Sequence, residues 1–243
     1  MFGAVLLSRE GKTIFNRILL ALPPEVCGQI LRNLHHVEFT SGQTIYLEGA
    51  PIEQIYFLNS GLVSLIETME DGRSVEIGVV GVEGLVGVFA LFASGSALVN
   101  YVVQVPVMAL CIDRKTLQNE LSKHEAFQCL VHKYLFLLAK QLAQTAACNR
   151  LHSLEQRCCH WLLVAHDSAL SESFLFTHEF LALLLGVQRP SVSMTANGLQ
   201  KRGLIRYTHG HITILDRAAI ERASCECYRV IRRQVDDLFS PRH

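Results

Sequence analysis

Hydrophobic and polar positions follow two different periods along this chain. Over residues 37–110, the segments FTSGQTIYLEG, QIYFLNSGLVSLIE, RSVEIGVVG and VNYVVQVPVMALCI are rich in Val, Ile, Tyr and Phe and read as strands. Ser41-Gly42, Glu48-Gly49-Ala50-Pro51, Asn59-Ser60-Gly61 and Asp71-Gly72 separate them. Gly and Asn tolerate positive φ and Asp bonds its own backbone, so each of these groups is expected to turn the chain. Many short strands at regular spacing suggest a barrel or sandwich. Ahead of them, residues 14–34 have helical spacing around Pro23-Pro24, and LPPE suits a first helical turn.

From Asp113 the period becomes helical. Asp113 is placed to cap a short helix ending near Leu121. Residues 125–150 then carry Phe127, Leu130, Val131, Tyr134, Leu137, Leu138, Gln141, Leu142 and Thr145 close to i, i+3, i+4, i+7 spacing. With no Gly or Pro inside, this helix would run for about 38 Å. So long an apolar stripe needs a partner. A twofold-related copy is the economical one, which makes Phe127, Leu130, Val131, Tyr134, Leu137, Leu138, Gln141 and Leu142 the expected dimer seam; burial in the chain's own core is the alternative. Residues 153–166 form another helix, with Leu154, Cys158, Trp161, Leu162 and Ala165 on one face, and SALSES is a polar loop.

Composition narrows the class. The 243 residues are 50% hydrophobic with formal net charge zero, so the molecule as a whole is not a polyanion binder and any nucleic-acid surface must be local. Its apolar runs are too short to span a membrane, and MFGAVLLSREGK lacks the basic start and cleavage site of a signal peptide, so a cytoplasmic protein with no membrane partner is expected. The eight cysteines are scattered and read as reduced thiols, not a disulfide framework. No catalytic triad order, phosphate-binding glycine loop or metal quartet stands out, so no enzyme, cofactor or metal is expected.

Local charge appears in FLFTHEFLALLLGVQRPSVSMTANGLQKRGLIRYTHGHITIL. Thr177 is an N-cap candidate, Gly186 breaks the first helix, and a second runs from near Gln188 to Arg202 with Pro190 in its first turn. Gly203 ends it, and residues 204–207 and 211–214 make a hairpin, the wing of a winged helix. Between Glu179 and Asp216 there is no acidic residue, while Arg189, Lys201, Arg202, Arg206, His209 and His211 all fall there. Phosphate contacts supply affinity and base edges supply choice. The expected DNA contacts are Gln188, Arg189, Ser191 and Ser193 at the start of the recognition helix, with Lys201, Arg202, Arg206 and Thr177 around it.

This order of parts resembles the Crp/Fnr family of transcription regulators. GQTIYLEGAPIEQIYFLNSGLVSLI is similar to the family's early β-roll and GVQRPSVSMTANGLQKRGLI to its recognition-helix motif. The resemblance implies an α+β fold: a jelly-roll β-barrel of the cyclic-nucleotide-binding type at 12–122, a dimerisation helix at 123–151 and a winged helix-turn-helix at 152–243. It implies a homodimer reading a pseudo-palindromic operator, with Arg189 as a base-reading arginine and RNA polymerase as a partner. Pro190 and Met194 stand where frequent family side chains are Glu and Arg, so the operator is its own. Ligand chemistry departs as well. The ribose-binding stretch becomes Gly87-Val88-Phe89 without its carboxylate, and the phosphate loop at 93–100 has no arginine, so cyclic AMP is not expected to bind. Val86, Gly87, Val88, Phe89, Leu98 and Asn100 would line either a pocket for an unknown small effector or a filled core. A redox-, metal- or haem-responsive regulator is an alternative, through Cys225-Glu226-Cys227, Cys158-Cys159 or a histidine; a ligand-free interaction scaffold is another. His35, His36, His124, His132, His152, His160 and His166 show no compact ligand spacing.

Overall fold

The computed structural model describes residues 13–93, 95–169, 173–208 and 210–240. The segment read above for a leader peptide lies outside the described residues. Helices α1 (Arg17–Leu20) and α2 (Pro24–Leu31) open the chain; Asn16 caps the first and Pro24 occupies the first position of the second. Strands β1 (His35–Phe39), β2 (Thr44–Tyr46), β3 (Gln54–Thr68), β4 (Ser74–Val80), β5 (Leu85–Val86) and β6 (Asn100–Asp113) form a six-stranded sheet in the order β1-β6-β3-β4, with β2 on β6 and β5 on β3. Every pairing is antiparallel. The sheet wraps a core that includes Ile18, Leu19, Ile30, Phe57, Leu65, Tyr101 and Leu110.

One expected turn is absent. Asn59-Ser60-Gly61 lies inside β3, which continues through it with irregular register against β6. Gly61 has φ of +85°, and a Cβ there would strike the Pro106 carbonyl of β6. The glycine therefore serves a bulge with close strand approach. Asn59 uses its side chain to accept from the Phe15 and Asn16 backbones at 3.0 and 3.2 Å, tying the N-terminal helices to the sheet.

Asp113 caps α3 (Arg114–Lys123) by accepting from Thr116 N at 2.9 Å. Then α4 (Glu125–Leu151) runs unbroken for 27 residues. Its strong apolar stripe faces inward. Phe127, Val131, Tyr134, Leu137 and Leu138 are buried in the first core, and Leu130 packs against it. Gly78 of β4 leaves room for Leu142 and Gln141 to lie over that strand. The eight expected dimer residues thus pack on their own protomer. Periodicity reports that a face is buried, not by what.

The second half contains α5 (Leu154–Ser168), β7 (Ser173–Leu175), α6 (His178–Leu185), α7 (Arg189–Lys201), β8 (Ile205–Thr208), β9 (His211–Ile214), α8 (Arg217–Ala223) and α9 (Cys227–Phe239). Ser153 starts α5 with a reciprocal capping box to Gln156. The wing has three strands, β7-β9-β8, not two; three-residue β7 follows the polar loop, too short to show a period. A second core holds Trp161, Leu162, Leu181, Leu185, Val192, Leu199 and Ile212, joined by Leu62, Val79 and Val105 from the first sheet. The winged domain is therefore seated on the outer face of the roll. Helix α9 returns to the first domain: Val235, Leu238 and Phe239 pack on the first core. Arg17 pairs with Asp236 at 3.0 Å and lies over the Phe239 ring.

Candidate nucleic-acid interface

Thr177 accepts from Phe180 N at 3.2 Å and so starts α6; this is the place of one expected contact residue. Gly186 ends the helix at φ +61°, and Val187 N donates back to Ala182 O at 3.0 Å, closing a left-handed C-cap. The same glycine rests against Val75 of β4, where a Cβ would come within 3.2 Å of that side chain. Gln188 then stands as N-cap of α7 with no side-chain cap bond, and Pro190 fills the first turn. An uncapped helix start presents backbone N–H groups and a positive dipole end, the arrangement that takes a phosphate.

Helix α7 turns Val192, Ala196 and Leu199 into the second core. Gln188, Arg189, Pro190, Met194, Asn197 and Lys201 are exposed. Arg202 and Arg206 are exposed beyond its end. The expected DNA residues Gln188, Arg189, Lys201, Arg202 and Arg206 are thus all open to solvent, the first two at the start of α7, the next two at its end and the last in the wing. Ser191 and Ser193 are half-buried. Ser193 Oγ lies 2.9 Å from His178 Nδ1, so its hydroxyl holds α7 to α6. His209, counted above among the cations, lies outside the described residues.

Two of the arginines have acidic neighbours. Arg189 Nε is 2.6 Å from Glu179, and Arg202 is 2.8 Å from Glu155 of α5. The acid-free interval begins just after the residue that meets Arg189. Both pairs are solvent-exposed, where an ion pair is worth about 0–1 kcal/mol, so either arginine can exchange its carboxylate for a phosphate or a guanine edge at little cost.

The sequence alone does not single out His178. It stacks on Tyr207 of the wing with centroids 4.2 Å apart while its Nδ1 meets Ser193, so one imidazole joins α6, α7 and β8. Burial, with Arg189 nearby, holds its pKa below the usual histidine value. Thr177-His178 beginning an apolar helix carries no sign of this role; it follows from the wing folding over the turn.

The residues expected at an effector pocket do not share one surface. Val86 and Val88 are fully buried in the first core, Gly87 takes φ +87° against Ile52 and Ile55, and Leu98 is 52% exposed. Asn100 accepts from Glu48 N at 3.1 Å and donates to Thr68. Phe89 packs on the first core. Elsewhere, Cys148, His152, Cys225 and Cys227 bring their ligand atoms within 4.8 Å of one another. Sequence spacing hid this set, because two residues come from the end of α4, one from between α8 and α9 and one from the first position of α9, and only the fold adds the pairs.

A sheet roll, a long helix and a winged helix-turn-helix with a cationic outer face define a DNA-binding transcription regulator. Residues 36–124 match the cyclic nucleotide-binding domain family and residues 156–223 match the Crp-like helix-turn-helix domain family. The chain belongs to the Crp/Fnr family of transcription regulators. It is 23% identical over 219 residues to the CRP-like cAMP-activated global transcriptional regulator of Mycobacterium tuberculosis, covering 84% of this chain and 95% of that protein. It is 29% identical over 199 residues to the transcriptional regulator LdrP of Thermus thermophilus, covering 76% of this chain and 94% of LdrP. Among solved structures, a CRP-family transcriptional regulator from Thermus thermophilus superposes with a TM-score of 0.65 at 25% identity, covering 77% of this chain and 96% of that one. Family members of this kind are regulators, not enzymes. Among the described residues no helix is long and apolar enough to cross a membrane.

Proposed function

We propose that the chain works as a homodimer whose two α7 helices enter successive major grooves of a pseudo-palindromic operator, about 34 Å apart. The observation that carries this reading is the exposed cationic set of Arg189 at the uncapped start of α7, Lys201 and Arg202 at its end and Arg206 in the wing. Arg189 and Gln188 supply base-edge hydrogen bonds, Ser191 and Ser193 flank them, and Lys201, Arg202, Arg206 and the α6 start at Thr177 meet phosphates. Met194, 76% exposed at the middle of α7, offers apolar contact such as a thymine methyl.

The dimer seam in this reading is the open face of α4. Cys129, His132, Phe136, Ala139, Ala143, Ala146 and Arg150 are exposed at alternating spacings of three and four, the spacing of a coiled-coil seam. Its three alanines let two helices approach closely, and Phe136, 77% exposed, supplies the largest apolar group.

The first domain does not bind cyclic AMP in this proposal. A cyclic phosphate held without a cation loses its charge-assisted bonds, and Val86 and Val88 are packed core where the family places ligand. Any effector is a different small molecule, and RNA polymerase is the remaining partner. Such a protein with free thiols works in the cytoplasm. Fluorescence anisotropy with the DNA upstream of the protein's own coding sequence tests the central claim. Specific, salt-sensitive binding is expected; binding that ignores sequence at every salt concentration overturns it. Calorimetry with cyclic AMP should show no low-micromolar binding.

A further inference from the structure

Buried Cys148, Cys225 and Cys227 form a cluster separate from both hydrophobic cores. Cys148 is in the last turn of α4, and His152 is that helix's C-cap, four residues later and on the same side. Cys225 follows α8, and Cys227 is the first residue of α9. We infer that these four residues are a closed Cys3His site for one zinc-like divalent ion, clamping the end of α4 to the start of α9.

The distances fit. Cys148 Sγ lies 3.6 Å from Cys225 Sγ, and Cys227 Sγ lies 3.6 Å from His152 Nδ1. Tetrahedral zinc with its usual bond lengths separates two sulfurs by about 3.8 Å and a sulfur from an imidazole nitrogen by about 3.6 Å. A disulfide would bring sulfurs to about 2.05 Å. The surroundings fit a metal ligand set too. With Nδ1 turned toward Cys227, His152 Nε2 meets the Glu226 carboxylate at 3.1 Å, the carboxylate–histidine relay that orients metal-bound imidazoles. Gln144 Nε2 donates to Cys227 Sγ at 3.1 Å, and His160 Nδ1 lies 3.6 Å from Cys225 Sγ. Three clustered thiols are a poor apolar core, whereas three thiolates and one imidazole are a complete soft ligand set for zinc. Four protein ligands leave no open position, so the ion's role is to hold structure and not to perform chemistry.

The experiment measures metal in the full-length protein purified anaerobically, then after chelation and reloading with Co(II) or Zn(II) alone. Expected are one zinc per protomer as purified and, in wild-type protein reloaded with cobalt, the intense visible bands and thiolate charge transfer of tetrahedral sulfur coordination. Cys225→Ser, Cys227→Ser and His152→Ala should each lose tight metal, while Cys158→Ser and Cys129→Ser keep it. Glu226→Gln should weaken affinity by about 10–100-fold with the spectrum retained. No bound metal with a pale octahedral cobalt spectrum, iron recovered with acid-labile sulfide, or a Cys148–Cys225 disulfide in the reduced preparation would each overturn the assignment. Because the cobalt spectrum is read on the unmutated chain, a variant that fails to fold leaves the test intact.

Discussion

Phe136→Ala and Val131→Ala lie on opposite faces of one helix and should break different things. Phe136 is 77% exposed in the protomer, and Val131 is 0% exposed within the first core. Fully burying a Phe side chain contributes about 1.5–3 kcal/mol. If the seam buries what is now exposed, each copy of Phe136 contributes about 1.2–2.3 kcal/mol and the pair about 2–4 kcal/mol after allowing for the alanine that remains. That is a rise in dimer Kd of about thirty- to a thousandfold. Protomer stability should be unchanged. Val131→Ala removes two buried methyl-sized groups, costs about 2 kcal/mol of folding stability, and leaves dimer Kd near wild type. Sedimentation velocity over a concentration series reads the first quantity. Urea denaturation at concentrations where both variants are dimeric reads the second. If Val131→Ala loosened the dimer and Phe136→Ala did not, the open face of α4 would be the wrong seam.

Three further outcomes follow from the geometry. Arg189→Ala should cost specific DNA binding about 1–3 kcal/mol and relax base choice, whereas Lys201→Ala should weaken all sequences alike and reduce the salt slope by about 1, both read by anisotropy titrations across salt. Gly61→Ala should lose about 3 kcal/mol or more, since it combines positive-φ strain with a clash against the Pro106 carbonyl; urea unfolding checks this, and a loss below 1 kcal/mol would contradict the bulge. His178 is held neutral, so the unfolded chain takes up a proton first as pH falls. Its contribution is complete above about pH 6.5 and declines below that toward the folded pKa, and the decline should be absent in His178→Asn when melting is compared at pH 8 and pH 5.5.

The winged domain was legible because its signals are local. Thr177, Gly186, Pro190 and Gly203 each sit where a cap, turn, first turn or stop requires that residue, and the exclusion of acids after Glu179 marks a surface. The long helix was legible in extent, ending at Leu151 against an expected Arg150. What covers its apolar stripe was not, because helical spacing marks a buried face without saying whether a second copy or the chain's own core covers it. Asn59-Ser60-Gly61 looks like a turn from composition alone; the need for Gly61 comes from Pro106, far along the chain. The Cys3His set was half legible: Cys225-Glu226-Cys227 is a weak metal signal in sequence, but Cys148 and His152 join it only when α8 and α9 fold back to the end of α4.

Helix α9 has a mechanical consequence. It begins between the thiols at the base of α4 and finishes under Arg17, so the first and last helices among the described residues touch. The DNA-reading head is held by α9 and also rests on the roll, through Leu62, Val79 and Val105 and where Gly186 meets Val75. The path from α1 to the footing of the head is thus one continuous helix, α9.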